Sequence, residues 1–101
     1  MLINIDISLH TKTAAIGRLS GQLEFTQLPR IGESITFPLV IEPATGFNGL
    51  LTVENVIHTV NSDSNLMLSL SDIVATSEAS AKTLGNSFSH KYGLFFEPYG
   101  D

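Results

Sequence analysis

The chain has 101 residues with five basic and ten acidic side chains, a formal charge of −5, which is the size of one mildly acidic domain. No cysteine is present, so disulfides, thiolate nucleophiles and cysteine-ligated metals are excluded, and a reducing, cytoplasmic setting is expected. The charge balance argues against a surface that tracks phosphates, and the apolar runs are far shorter than the roughly 20 residues needed to span a membrane.

Hydrophobic residues make up 43% of the chain, while charged residues make up 15%, against a usual figure of roughly 25%. Eleven Ser, nine Thr and six Asn fill the polar surface instead. Those types suit strands and turns better than helix exteriors, so the composition points to a mainly β protein. Low charge density also leaves little repulsion between copies, which favours self-association.

In the first segment, Ile3, Ile5, Ile7 and Leu9 alternate with Asn4, Asp6, Ser8 and His10, which predicts a strand with one wet face. A second long strand is predicted over 15–26, with Gly17 and Gly21 at inward positions where a barrel would bend. A hairpin around Ser20-Gly21 is the competing reading. Leu28-Pro29-Arg30-Ile31-Gly32-Glu33 forms a defined turn. Alternation then resumes from Ile35 to Ile41, with Pro38 predicted at a sheet edge or bulge.

A loop is expected over 42–49, with Phe47 stranded among turn residues. A strand follows over 50–60, and its change of phase at Glu54-Asn55 predicts a β-bulge. A polar turn at 61–65 leads into the alternating Leu66, Leu68 and Leu70. Thr76 or Ser77 is placed to cap a helix whose one face carries Ala81, Leu84, Phe88 and Tyr92. Gly85, Asn86 and Ser87 are poor helix formers, so a shorter helix followed by a loop is the alternative. Leu94 to Glu97 suits a final strand or a segment docked on a neighbour.

Together these elements predict a single domain over 1–101. A small, curved, antiparallel barrel of SH3-like type, with OB-like as the alternative, would occupy about 2–75. A short C-terminal helix and an apolar tail would fill about 76–101. The turn at 28–33 and the later Val56-Ile57-His58-Thr59-Val60 strand resemble a pattern in small, uncharacterised bacterial β-barrel proteins. There a Leu-Pro-Arg-apolar-Gly-acidic turn leads into a strand and a later strand carries a histidine. The resemblance spans about residues 15–70 and implies a compact barrel with no established activity.

No phosphate loop, His-Glu-x-x-His motif or nucleophile elbow occurs. The oxygen-rich stretch 61–65 lacks the glycine and the bidentate glutamate that a calcium loop places at its sixth and twelfth positions, so a turn is the better account. His10, His58 and His90 have no zinc-site spacing. Glu24, Glu42 and Glu54 form no marked acid–base pair. No cofactor or metal is called for, and a catalytic role is disfavoured.

His58 shares a parity with Val56 and Val60, which predicts a structural imidazole in a half-buried layer. A ligand-binding or hydrolytic barrel using it is the rival function. A nucleic-acid-binding barrel is a further alternative, but no Lys or Arg lies between Arg30 and Lys82, so the basic stripe is missing. The expected binding lip is Arg30, Glu33, Phe47 and Asn48, with Phe47 as plug or anchor. Phe88, Tyr92, Leu94, Phe95, Phe96 and Tyr99 crowd the end of the chain and are expected to cover an edge or cross to a second subunit. The resulting reading is a non-catalytic interaction module, forming a homodimer and open to another protein partner.

Overall fold

A computed structural model describes residues 1–61 and 66–100. The predicted turn at 61–65 and its calcium alternative therefore lie largely outside the described residues. The elements in chain order are β1 (Leu2–His10), β2 (Ala15–Glu24), β3 (Ser34–Thr36), single 3-10 turns at Pro38–Val40 and Pro43–Thr45, β4 (Leu50–His58), β5 (Leu66–Leu70), β6 (Ile73–Val74), α1 (Glu78–Tyr92) and β7 (Phe95–Pro98). The chain is mainly β, with one helix.

The strands form one sheet in the order β3-β4-β5-β1-β2-β7, with β6 continuing beside β1. β1 and β2 make an antiparallel hairpin, and β4 pairs antiparallel with both β3 and β5. At the centre β1 runs parallel to β5 and β6, with Ile5 opposite Leu68 and Leu9 opposite Ile73. The closed antiparallel barrel predicted from the alternation does not form: among the described residues β3 and β7 each pair on one side only and are the two rims of an open sheet. A parallel pair needs a long crossover, and here the chain between β1 and β5 supplies it.

The alternation of β1 puts Ile3, Ile5, Ile7 and Leu9 on the inner face, all buried. Leu19, Val53, Leu68, Leu70 and Ile73 continue that face across the neighbouring strands. Helix α1 covers it with Ala81, Leu84 and Phe88. Its N-terminus is capped where the sequence indicates: the Ser77 hydroxyl accepts from the Ser80 amide at 3.0 Å. Gly93, in the left-handed region at φ 70°, ends it. The core thus runs across the expected boundary at residue 75, and the last strand is part of the sheet rather than an appended tail.

Two inward glycines have a purpose the sequence did not suggest. A Cβ on Gly17 would lie 2.8 Å from the Phe96 ring, and one on Gly85 would lie 2.6 Å from the same ring. Phe96 thus occupies a slot between β2 and α1 that only glycines leave open. Gly21 similarly makes room for Leu94. These glycines admit the C-terminal segment rather than bend a barrel.

The predicted strand over Ile35–Ile41 stops at Thr36. Pro38 has no N–H for a ladder, and the chain turns into a 3-10 helix with that proline in its first turn. Its backbone is satisfied from α1 instead. The Leu39 N–H donates to the Tyr92 hydroxyl at 3.0 Å, and the Lys91 ammonium donates to the Leu39 carbonyl at 2.9 Å. Phe37 and Phe47 then pack on Phe88, with ring centroids 5.1 and 5.6 Å away, and Phe37 meets Tyr92 edge-on at 5.4 Å. The loop is therefore a second cover on the core.

Candidate interaction surface

Helix α1 covers one face of the sheet only. The other face carries Asn4, Asp6, Ser8 and His10 from β1, with Gln22, Ser20 and Arg18 opposite the first three on β2. Its polar centre is braced by Arg18, whose Nε donates to Asp6 Oδ1 at 2.6 Å. That hydrogen bond and the Asp6 charge raise the guanidinium pKa above its ordinary value, so Arg18 stays charged. His10 lies 3.7 Å from Asp72 at the far end. Toward the other end the face turns apolar: Met67 pairs with Asn4 on one side and Ile57 on the other, and Leu2 precedes on β1. Leu2 is 62% and Ile57 48% exposed. Met67 and Ile57 are direct cross-strand neighbours, and Leu2 lies diagonal to Met67, so the three form an apolar cluster at this end of the face.

The β4 rim borders this patch. β3 pairs with β4 only over Leu50–Thr52, and the turn before β3 adds bonds from Gly32 N–H to the Val53 carbonyl and from Val53 N–H to the Glu33 carbonyl, both 2.9 Å. Among the described residues, no strand pairs with the outer side of β4 beyond Val53. The predicted bulge is present, with the β4–β5 register shifting between Val53 and Asn55. It sets the phase of Val56, Ile57 and His58.

The expected lip is split in two. Arg30 and Glu33 close their own turn: Glu33 Oε1 accepts from the Arg30 amide at 2.6 Å, and the side chains approach only to 3.9 Å with Arg30 largely in solvent. Phe47 is buried against Phe88, which makes it a plug and not an exposed anchor. Asn48 Oδ1 accepts from the Leu50 amide at 3.0 Å, a local turn bond. Glu33 lines one cavity, while Phe47 and Asn48 line another.

His58 is exposed at the end of β4 rather than half-buried, because its strand has run past the cover of the helix. Of the crowded C-terminal residues, Phe88 and Leu94 are buried in the chain's own core and Tyr92 and Phe96 pack against it. Phe95 and Tyr99 remain outside, Phe95 at 64% exposure opposite Ser20 on the uncovered face.

A cleft of about 560 Å³ separates the end of β2 from β3, lined by Phe25, Pro29 and Ile35 together with the carboxylates Glu24 and Glu33. Both carboxylates already have partners, Glu24 the chain's N-terminal ammonium and Glu33 the Arg30 amide. Sequence reasoning did not find this cleft, since it joins segments separated by the 28–33 turn. His58 does not line it.

Among the described residues no group of three or more His, Asp or Glu side chains converges as a metal site would require. Among the described residues no helix is long and apolar enough to cross a membrane. No protein-family model, curated protein or solved structure matches the chain.

Proposed function

We propose that this protein is an interaction module whose role is carried by surface pairing rather than by chemistry, and that its partner is a second copy of itself. The single observation that supports the reading most is the sheet covered by a helix on one face and carrying the Met67–Ile57 pair, with Leu2 diagonal to it, on the other. Exposed apolar clusters of this kind gain free energy when another surface covers them. Low charge density keeps the opposing repulsion small. A symmetric dimer is the simplest closed arrangement.

Light scattering on the intact chain across the micromolar range tests the reading. A mass twice that of the chain, falling toward the monomer on dilution, is the expected result. A monomer mass throughout would overturn it.

A second reading, binding of a small apolar ligand, draws on the cleft between β2 and β3. Its test is protection of Phe25 and Ile35 methyl and ring signals on adding an apolar fluorescent dye. A hydrolytic site centred on His58 gains nothing from that cleft, because the histidine stands outside it. A nucleic-acid reading gains nothing from the uncovered face, where Arg18 is held by Asp6.

A further inference from the structure

The direction of the backbone groups along the β4 rim can be worked out from one hydrogen bond. Ser71 N–H donates to the Thr52 carbonyl at 2.8 Å, so Ser71 faces β4. Residues of an antiparallel ladder alternate between facing their partner and facing away. Ser69 and Met67 therefore also face β4, and their partners Asn55 and Ile57 on β4 face β5. Val56 and His58 consequently direct their N–H and C=O groups away from β5, to the side where β3 has already ended. Among the described residues, no backbone hydrogen bond outside the β4–β5 ladder reaches Glu54–His58.

We propose that this rim pairs antiparallel with the same rim of a second copy, with the two-fold axis at Ile57. The proposal rests on the self-association reading and adds the strand and its register. With Ile57 opposite Ile57, Val56 of each copy stands opposite His58 of the other, and these two positions exchange the four outward N–H and the four outward C=O groups. Ile57 becomes a non-hydrogen-bonded pair, the kind that brings side chains closest.

Three features select a second copy over an unrelated strand. The register uses every outward group of Val56 and His58 on both chains. Ile57 lies beside Met67 on the uncovered face, so pairing at Ile57 joins two apolar clusters into one strip that runs across both molecules. Glu54 lies outside the Val56–His58 ladder, toward the turn that follows the other copy's β4 at the exposed Val60, so no two carboxylates meet across the seam. The rim also contains no lysine or proline from Glu54 to Val60, the residues that commonly block edge pairing.

The absence of native cysteine permits a direct test. A non-hydrogen-bonded antiparallel pair has Cα atoms about 4.5 Å apart, within the range a disulfide spans. The variant Ile57→Cys is therefore expected to form a covalent dimer on mild oxidation. Val74→Cys, slightly more exposed on β6, is expected to stay monomeric under the same conditions. Independently, Ile57→Lys and His58→Pro should shift the light-scattering mass to the monomer with unchanged far-UV circular dichroism.

A wild-type dimer with both of those variants still dimeric, and Ile57→Cys crosslinking no faster than Val74→Cys, would overturn this rim and leave self-association standing. A wild-type monomer would overturn both.

Discussion

Gly85 offers a prediction whose sign is informative. In an exposed helix interior, replacing glycine by alanine stabilises by about 1 kcal/mol through backbone entropy. Here the added methyl would sit 2.6 Å from three carbons of the Phe96 ring, where ordinary contact begins near 3.4 Å. The ring must retreat by about 1 Å, and a strained insertion of one methyl typically costs about 1–3 kcal/mol. Retreat is hindered because the other side of the slot is the β2 backbone at Gly17, whose own missing Cβ lies 2.8 Å from that ring. Gly85→Ala should therefore destabilise the wild-type protein by about 1 kcal/mol net. In a Phe96→Ala background the obstacle is gone, and the same substitution should stabilise by about 1 kcal/mol, a coupling of about 2 kcal/mol that is normal for residues in contact. Urea unfolding of the four proteins, followed by far-UV circular dichroism, measures each value. Equal stabilisation by Gly85→Ala in both backgrounds would refute the slot.

Phe47→Ala should lower the unfolding free energy by about 3–5 kcal/mol, since a buried ring packed on Phe88 is removed; urea midpoints report it. Ser77→Ala removes the cap that receives the Ser80 amide and should cost about 1 kcal/mol, while Ser77→Asp should retain most of the stability. Tyr92→Phe deletes the acceptor of the Leu39 amide. It should cost about 1 kcal/mol and speed hydrogen exchange at Leu39 more than at Val53, whose bond to Glu33 is untouched.

Much of the local structure was legible from residue type and spacing. The strict alternation of residues 3–9 places the β1 core face correctly. The phase change at Glu54-Asn55 marks the bulge, and Ser77 with Ala81, Leu84, Phe88 and Tyr92 marks the helix and its buried side. Alternation reports which face a side chain takes but not which strand lies alongside, so the parallel β1–β5 pairing could not be read and an antiparallel barrel was the natural inference. Gly17 and Gly85 appeared as a bend and a weak point because the ring that fills their space arrives from residue 96. Glu33 appeared available, yet its carboxylate closes the turn on the Arg30 amide, while the Arg30 side chain stays largely in solvent. The exposure of His58 depends on where the helix cover ends, which no local pattern encodes.

The parallel seam at the centre of the sheet also constrains when this protein can form. Ile5 cannot meet Leu68, nor Leu9 meet Ile73, until about seven-tenths of the chain exists. The β1–β2 hairpin is complete long before that, with its row of isoleucines bare and one long edge open. During synthesis the N-terminal quarter must therefore wait, and its most exposed moment falls while residues 25–65 are being added. Refolding of this chain should be limited by this long-range closure and not by the helix, which completes its own turns locally within microseconds.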